Sequence, residues 1–129
     1  MRNGRARVLV LDEDTRLIER VVALLQARHE VIISGRRYGR VSFLREIAPD
    51  LVLLGVRSPF PGGDEVLRAV RAAPPLGVPV LMLSGADPAY LDALVRETGA
   101  AGFVRKAELE QTLQRRVEAL LAPDTLATA

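Results

Sequence analysis

The chain has 129 residues, 49% of them apolar and 26% charged, which sizes it as one domain able to bury a core without staples. It has no cysteine, which excludes a disulfide framework or a thiolate metal site and fits a cytoplasmic protein. A formal charge of +2, carried almost wholly by arginine, is too weak to argue for nucleic acid as a partner.

No apolar run approaches the roughly 20 residues of a membrane span. The basic start, Met1 to Arg7, is followed by too short an apolar stretch for a signal peptide. No membrane partner is expected, and the protein is expected to stay inside the cell.

Val8-Leu9-Val10-Leu11 is a continuous apolar run, predicted as a strand buried on both faces, and it ends in three acids, Asp12, Glu13 and Asp14. From Thr15 to Ala27, Leu17, Val21, Leu24 and Leu25 fall on one helical stripe, with Asp14 or Thr15 placed to cap its first turn. His29 stands alone at the next junction and reads as a surface residue. Glu30 to Ser34 is a second strand. The turn-like Gly35 to Gly39 leads to a short helix through Val41, Leu44 and Ile47, stopped by Pro49.

Leu51 to Leu54, the most hydrophobic run, is predicted as the central strand and ends at Gly55. A loop over residues 58–63 precedes a helix from about Asp64 to Ala72, broken by Pro74-Pro75. Val78 to Leu83 is the fourth strand, ending at Ser84. A helix from Pro88 to Thr98 starts on proline and stops at Gly99. Gly102 to Arg105 is a short fifth strand ending at Lys106. The last helix, Glu108 to Leu121, buries Leu109, Leu113, Val117, Leu120 and Leu121. The domain is read as residues 1–122, with 123–129 a tail or the start of a linker.

Five strands alternating with five helices predict an α/β fold: a doubly wound parallel sheet, helices on both faces. Ligands of such sheets sit beyond the carboxyl ends of the strands. Acids, a hydroxyl and an amine at successive strand ends (Asp12 to Asp14, Ser84, Lys106) are the parts of a phosphoryl-accepting site. Gly55 lies among them and has no side chain with which to attack phosphorus.

These segments together resemble the receiver domain of bacterial response regulators, the CheY-like family, from about Arg7 to Leu121. The resemblance rests on Val8 to Asp14, Pro49 to Leu54, Arg57 to Gly63, Val78 to Ser84 and Gly99 to Lys106. It implies a flavodoxin-like (βα)5 sheet of strand order 2-1-3-4-5 and a role in two-component signal transduction or phosphorelay. Asp12 and Glu13 match the family's Mg²⁺ ligands, and Gly55 stands where the phospho-acceptor aspartate belongs. Ser84 matches the hydroxyl that binds phosphoryl oxygens, Lys106 the lysine that pairs with them, and Phe103 the aromatic switch. Ala107 replaces the proline that usually follows the lysine, so a trans bond is expected there.

The departures imply an atypical receiver, a pseudo-receiver, with no catalytic residue, no enzymatic activity and Mg²⁺ held weakly or not at all. A water or the Lys106 ammonium is expected to fill the vacancy, Lys106 in the second case pairing with Asp12, and Arg57 is expected to pair with Glu13 or Asp14 and close the pocket. A substitute acceptor at Glu13 or Asp14 is the alternative; Gly55 as inert loss, with Ser84 and Lys106 as leftovers, is the blander one.

A signalling kinase, an output protein or a second copy would then bind at the face of the fourth helix, fifth strand and fifth helix. Tyr90, Arg96, Arg105, Glu108, Gln111 and Arg115 lie on it. The basic segment Arg36-Arg37-Tyr38-Gly39-Arg40, with Arg45, reads as a solvated loop rather than a nucleic-acid patch.

Overall fold

The computed structural model describes residues 5–12, 14–34, 41–56 and 77–122, without the side chains of 41–43. The expected helix at 64–72, the basic segment at 36–40, Glu13, Arg57 and the 123–129 tail lie outside the described residues.

Five parallel strands form one sheet: β1 (Arg7–Leu11), β2 (Glu30–Ser34), β3 (Leu51–Gly55), β4 (Val80–Ser84) and β5 (Gly102–Arg105), in the order β2-β1-β3-β4-β5. This is the predicted order. Four described helices accompany them: α1 (Thr15–Leu25), α2 (Val41–Ile47), α3 (Pro88–Thr98) and α4 (Leu109–Leu121).

The period-2 alternation of the strands divides the core in two. Val8, Val10, Leu51, Leu53, Leu81 and Leu83 face the stripe of α1 (Leu17, Val21, Leu25) and that of α4 (Leu109, Leu113, Val117). Leu9, Leu11, Val52, Leu54, Val80 and Met82 face Leu44 of α2 and Leu91 and Leu94 of α3. Both faces of the central strands are therefore apolar, which is why they read as unbroken hydrophobic runs.

Boundaries shift where polar groups intervene. The first helix ends at Leu25 rather than Ala27, and the Arg5 guanidinium takes up the carbonyls of Gln26, Ala27 and His29 just beyond it at 3.2, 3.4 and 2.9 Å. Asp14 is its cap: Oδ1 accepts from the amides of Arg16 and Leu17. The fourth strand starts at Val80, not Val78, since Pro79 has no N–H to give. A 3₁₀ turn over Lys106–Glu108 precedes α4, so that helix begins at Leu109 rather than Glu108.

His29 is not a surface residue. It is 5% exposed, its Nδ1 accepts from the Ala6 amide at 3.4 Å and its Nε2 lies 2.6 Å from Glu118 Oε1. A helix partner 89 residues away satisfies the ring, and no local signal marks it.

Candidate functional site

The register aligns the carboxyl ends of the strands. Leu11 pairs with Leu54, Gly55 with Leu83, and Ser84 with Arg105. Asp12, Gly55, Ser84 and Lys106 thus emerge along one edge of the sheet, as the sequence pattern requires of a shared site.

At its centre the Asp12 carboxylate lies across the end of β3. A Cβ built on Gly55 would overlap Asp12 Oδ2 and Cγ. The other carboxylate oxygen, Oδ1, accepts the Asp14 amide at 2.9 Å. This local bond turns the side chain back over its own strand end. Gly55 is the residue type that leaves room for it.

Ser84 is fully buried, and its hydroxyl is committed within the fold. Oγ donates to the Val56 carbonyl at 2.6 Å and accepts from the Ala86 amide at 3.0 Å. It ties the end of β4 to the end of β3 instead of pointing its proton into the pocket.

Lys106 reaches Asp14, not Asp12: its Nζ lies 3.5 Å from Asp14 Oδ2. The expected pairing with Asp12 is corrected by the cap, which holds the Asp14 carboxylate at the start of α1 within reach of the ammonium. The Leu17 amide does most to hold the Asp14 carboxyl below the usual carboxylate range, with further help from Lys106 and the Arg16 amide. The Lys106 stem passes over Gly85. Phe103 is half-buried against the α3 side of the core. Ala107 sits in the 3₁₀ turn. Glu13 and Arg57 lie outside the described residues.

Magnesium, which the resemblance implies, requires hard oxygen donors arranged octahedrally. Among the described residues no three His, Cys, Asp or Glu side chains gather as a metal site. Asp12 is folded over Gly55, and Asp14 is engaged by α1 and Lys106. The described donors do not fit the ion.

Two features escaped the reading of the sequence. Lys106 is the only lysine among the 18 Lys and Arg residues, a signal present in the composition. Arg20 and Glu110, 90 residues apart, form a two-pronged ion pair: Nε to Oε2 and Nη2 to Oε1, both 2.7 Å. Arg20 Nη2 also donates to the Lys106 carbonyl at 2.9 Å. Neither residue stands at a strand end, so nothing local assigns them to the site.

No family model matches the chain. The chain is 33% identical over 118 residues to the DNA-binding response regulator MtrA of Mycolicibacterium paratuberculosis, covering 91% of this chain and 52% of that protein. It therefore spans about half the length of the curated relatives first matched. Among solved structures, a response regulator from Chloroflexus aurantiacus J-10-fl superposes with a TM-score of 0.75 at 26% identity, over 92% of this chain and 99% of that one. The chemotaxis response regulator CheY4 of Vibrio cholerae gives 0.72 at 26% identity, over 91% and 99%. Among the described residues no helix is long and apolar enough to cross a membrane.

Proposed function

Because this chain is a receiver domain of the CheY-like response-regulator family, we propose that it serves two-component signalling as a pseudo-receiver, by protein contact and without phosphorylation. The observation that carries this is Asp12 lying in the volume above Gly55. A glycine offers no nucleophile, and the neighbouring carboxylate fills the space where one would project. Ser84 donating to Val56 and Lys106 pairing with Asp14 support the same reading, since both groups already have partners within the chain. Mg²⁺ binds weakly or not at all. A substitute acceptor at Asp14 is disfavoured because both its oxygens are engaged, Oδ1 by two amides and Oδ2 by Lys106.

Such a domain does no catalysis; it presents a surface to a kinase, an output protein or a second copy. The face of α3, β5 and α4 suits this role. Arg96, Glu108, Gln111 and Arg115 are exposed there, with Tyr90 and Arg105 half-buried. A groove of about 370 Å³ runs over β5 between the two helices, lined among others by Asp92, Phe103, Arg105, Glu108 and Arg116. A partner that prefers one conformation of this face selects it by differential affinity, with no covalent step.

The test is incubation with acetyl phosphate and Mg²⁺, followed by intact mass. The unmodified mass is expected. A phospho-adduct would overturn the reading, and its loss in Glu13→Gln or Asp14→Asn would name the acceptor.

A further inference from the structure

The Arg20 guanidinium forms one ion pair and touches the backbone of a residue that forms another. On one side it grips both oxygens of Glu110 on α4. On the other it donates to the backbone carbonyl of Lys106, the residue whose ammonium meets Asp14. Planar, two-pronged guanidinium–carboxylate pairs fix geometry as well as charge. The carbonyl bond passes that geometry to the 106–108 turn.

We propose that Arg20 is the positioning residue of the closed pocket: it holds the 106–108 turn so that the Lys106 ammonium stays on Asp14. An exposed ion pair between α1 and α4 and the lysine of the pocket thereby form one coupled unit. This deepens, and rests on, the reading of the pocket as closed by its own residues. The coupling runs through contiguous polar contacts, from Glu110 to Arg20, to the Lys106 carbonyl, and from its ammonium to Asp14. Arg20 and Glu110 are 39% and 51% exposed, so the unit is open to solvent at its outer end. The lysine of the pocket is set from outside it.

Since Lys106 is the only lysine, pulsed acylation of the full chain, read by peptide mapping, reports the freedom of one side chain. Arg20→Gln is expected to acylate Lys106 several-fold faster than the wild type, and Arg20→Met, which keeps the aliphatic stem, likewise. Gln114→Ala removes a separate tie between the same helices, Nε2 to the Leu24 carbonyl at 2.7 Å, and is expected to leave the rate unchanged. An unchanged or slower rate in the Arg20 variants, or an equal acceleration in Gln114→Ala, would overturn the proposal. Phosphodonor labelling of the same wild-type sample keeps the two ideas apart. Uptake of phosphate removes the closed-pocket reading, whereas unlabelled protein with an unchanged Lys106 rate in the Arg20 variants removes only the coupling.

Discussion

The Asp12 carboxylate occupies the space that a side chain on Gly55 would need, and its other oxygen is held by the Asp14 amide. The two positions are adjacent across β1 and β3, so each constrains the other. Glycine at 55 permits the inward turn of Asp12, and Asp12 in turn excludes any larger residue unless it swings away.

Substitution at 55 therefore depends on what stands at 12. Gly55→Ala is expected to cost about 1–3 kcal/mol, the usual range for overpacking a fitted site. In an Asp12→Ala background the same change should cost within about 0.5 kcal/mol of nothing, because the colliding group is gone. Urea unfolding of the four proteins measures the coupling, and additive costs would contradict the contact.

The Arg20–Glu110 pair makes an acid-sensitive contribution. The Arg20 hydrogen bonds lower the Glu110 carboxyl to a pKa of about 2. A depressed folded-state value means stability present above the ordinary glutamate pKa of about 4.3 and lost as pH falls toward 2. Stability measured across that window should decline less steeply in Glu110→Gln than in the wild type. Both groups are exposed, so the difference should be small and should shrink in high salt.

His29 holds the start of β1 against α4 through Ala6 and Glu118. His29→Ala would leave a buried amide and a carboxylate without their partner, and is expected to cost about 2–4 kcal/mol. Glu118→Gln keeps an acceptor for the ring N–H and should cost much less. Thermal unfolding of both variants checks the order.

Gly102 combines a φ of +148° with the Arg116 guanidinium lying where a Cβ would go. Gly102→Ala is expected to cost about 1–3 kcal/mol through backbone strain. Arg116→Ala should fail to recover most of that loss, since a flexible guanidinium can move aside while φ cannot relax. Recovery in the double variant would assign the cost to the collision instead.

Much of this molecule was legible in its residues. The parallel sheet follows from five apolar runs alternating with helical stripes, and its order from the resemblance to receiver domains; β2, α3 and β5 begin and end where the sequence puts them. The edge carrying Asp12, Gly55, Ser84 and Lys106 was equally plain, because strand ends of a parallel sheet converge. What was not legible is side-chain choice among near neighbours. Asp14 rather than Asp12 receives Lys106, because the cap at the start of α1 places that carboxylate, while Asp12 bends onto its own backbone. Residues such as Arg20, His29 and Glu118 act across about 90 positions of sequence, through helix faces whose polar partners no periodicity reveals.

The most direct measurement is the mass and conformation of the purified chain after exposure to acetyl phosphate and Mg²⁺. An unmodified mass, with an amide NMR spectrum unchanged by the donor, is what a domain working by contact predicts. A stoichiometric phosphoryl adduct with shifts spreading from the ends of β3 and β4 to the β5 face would contradict it.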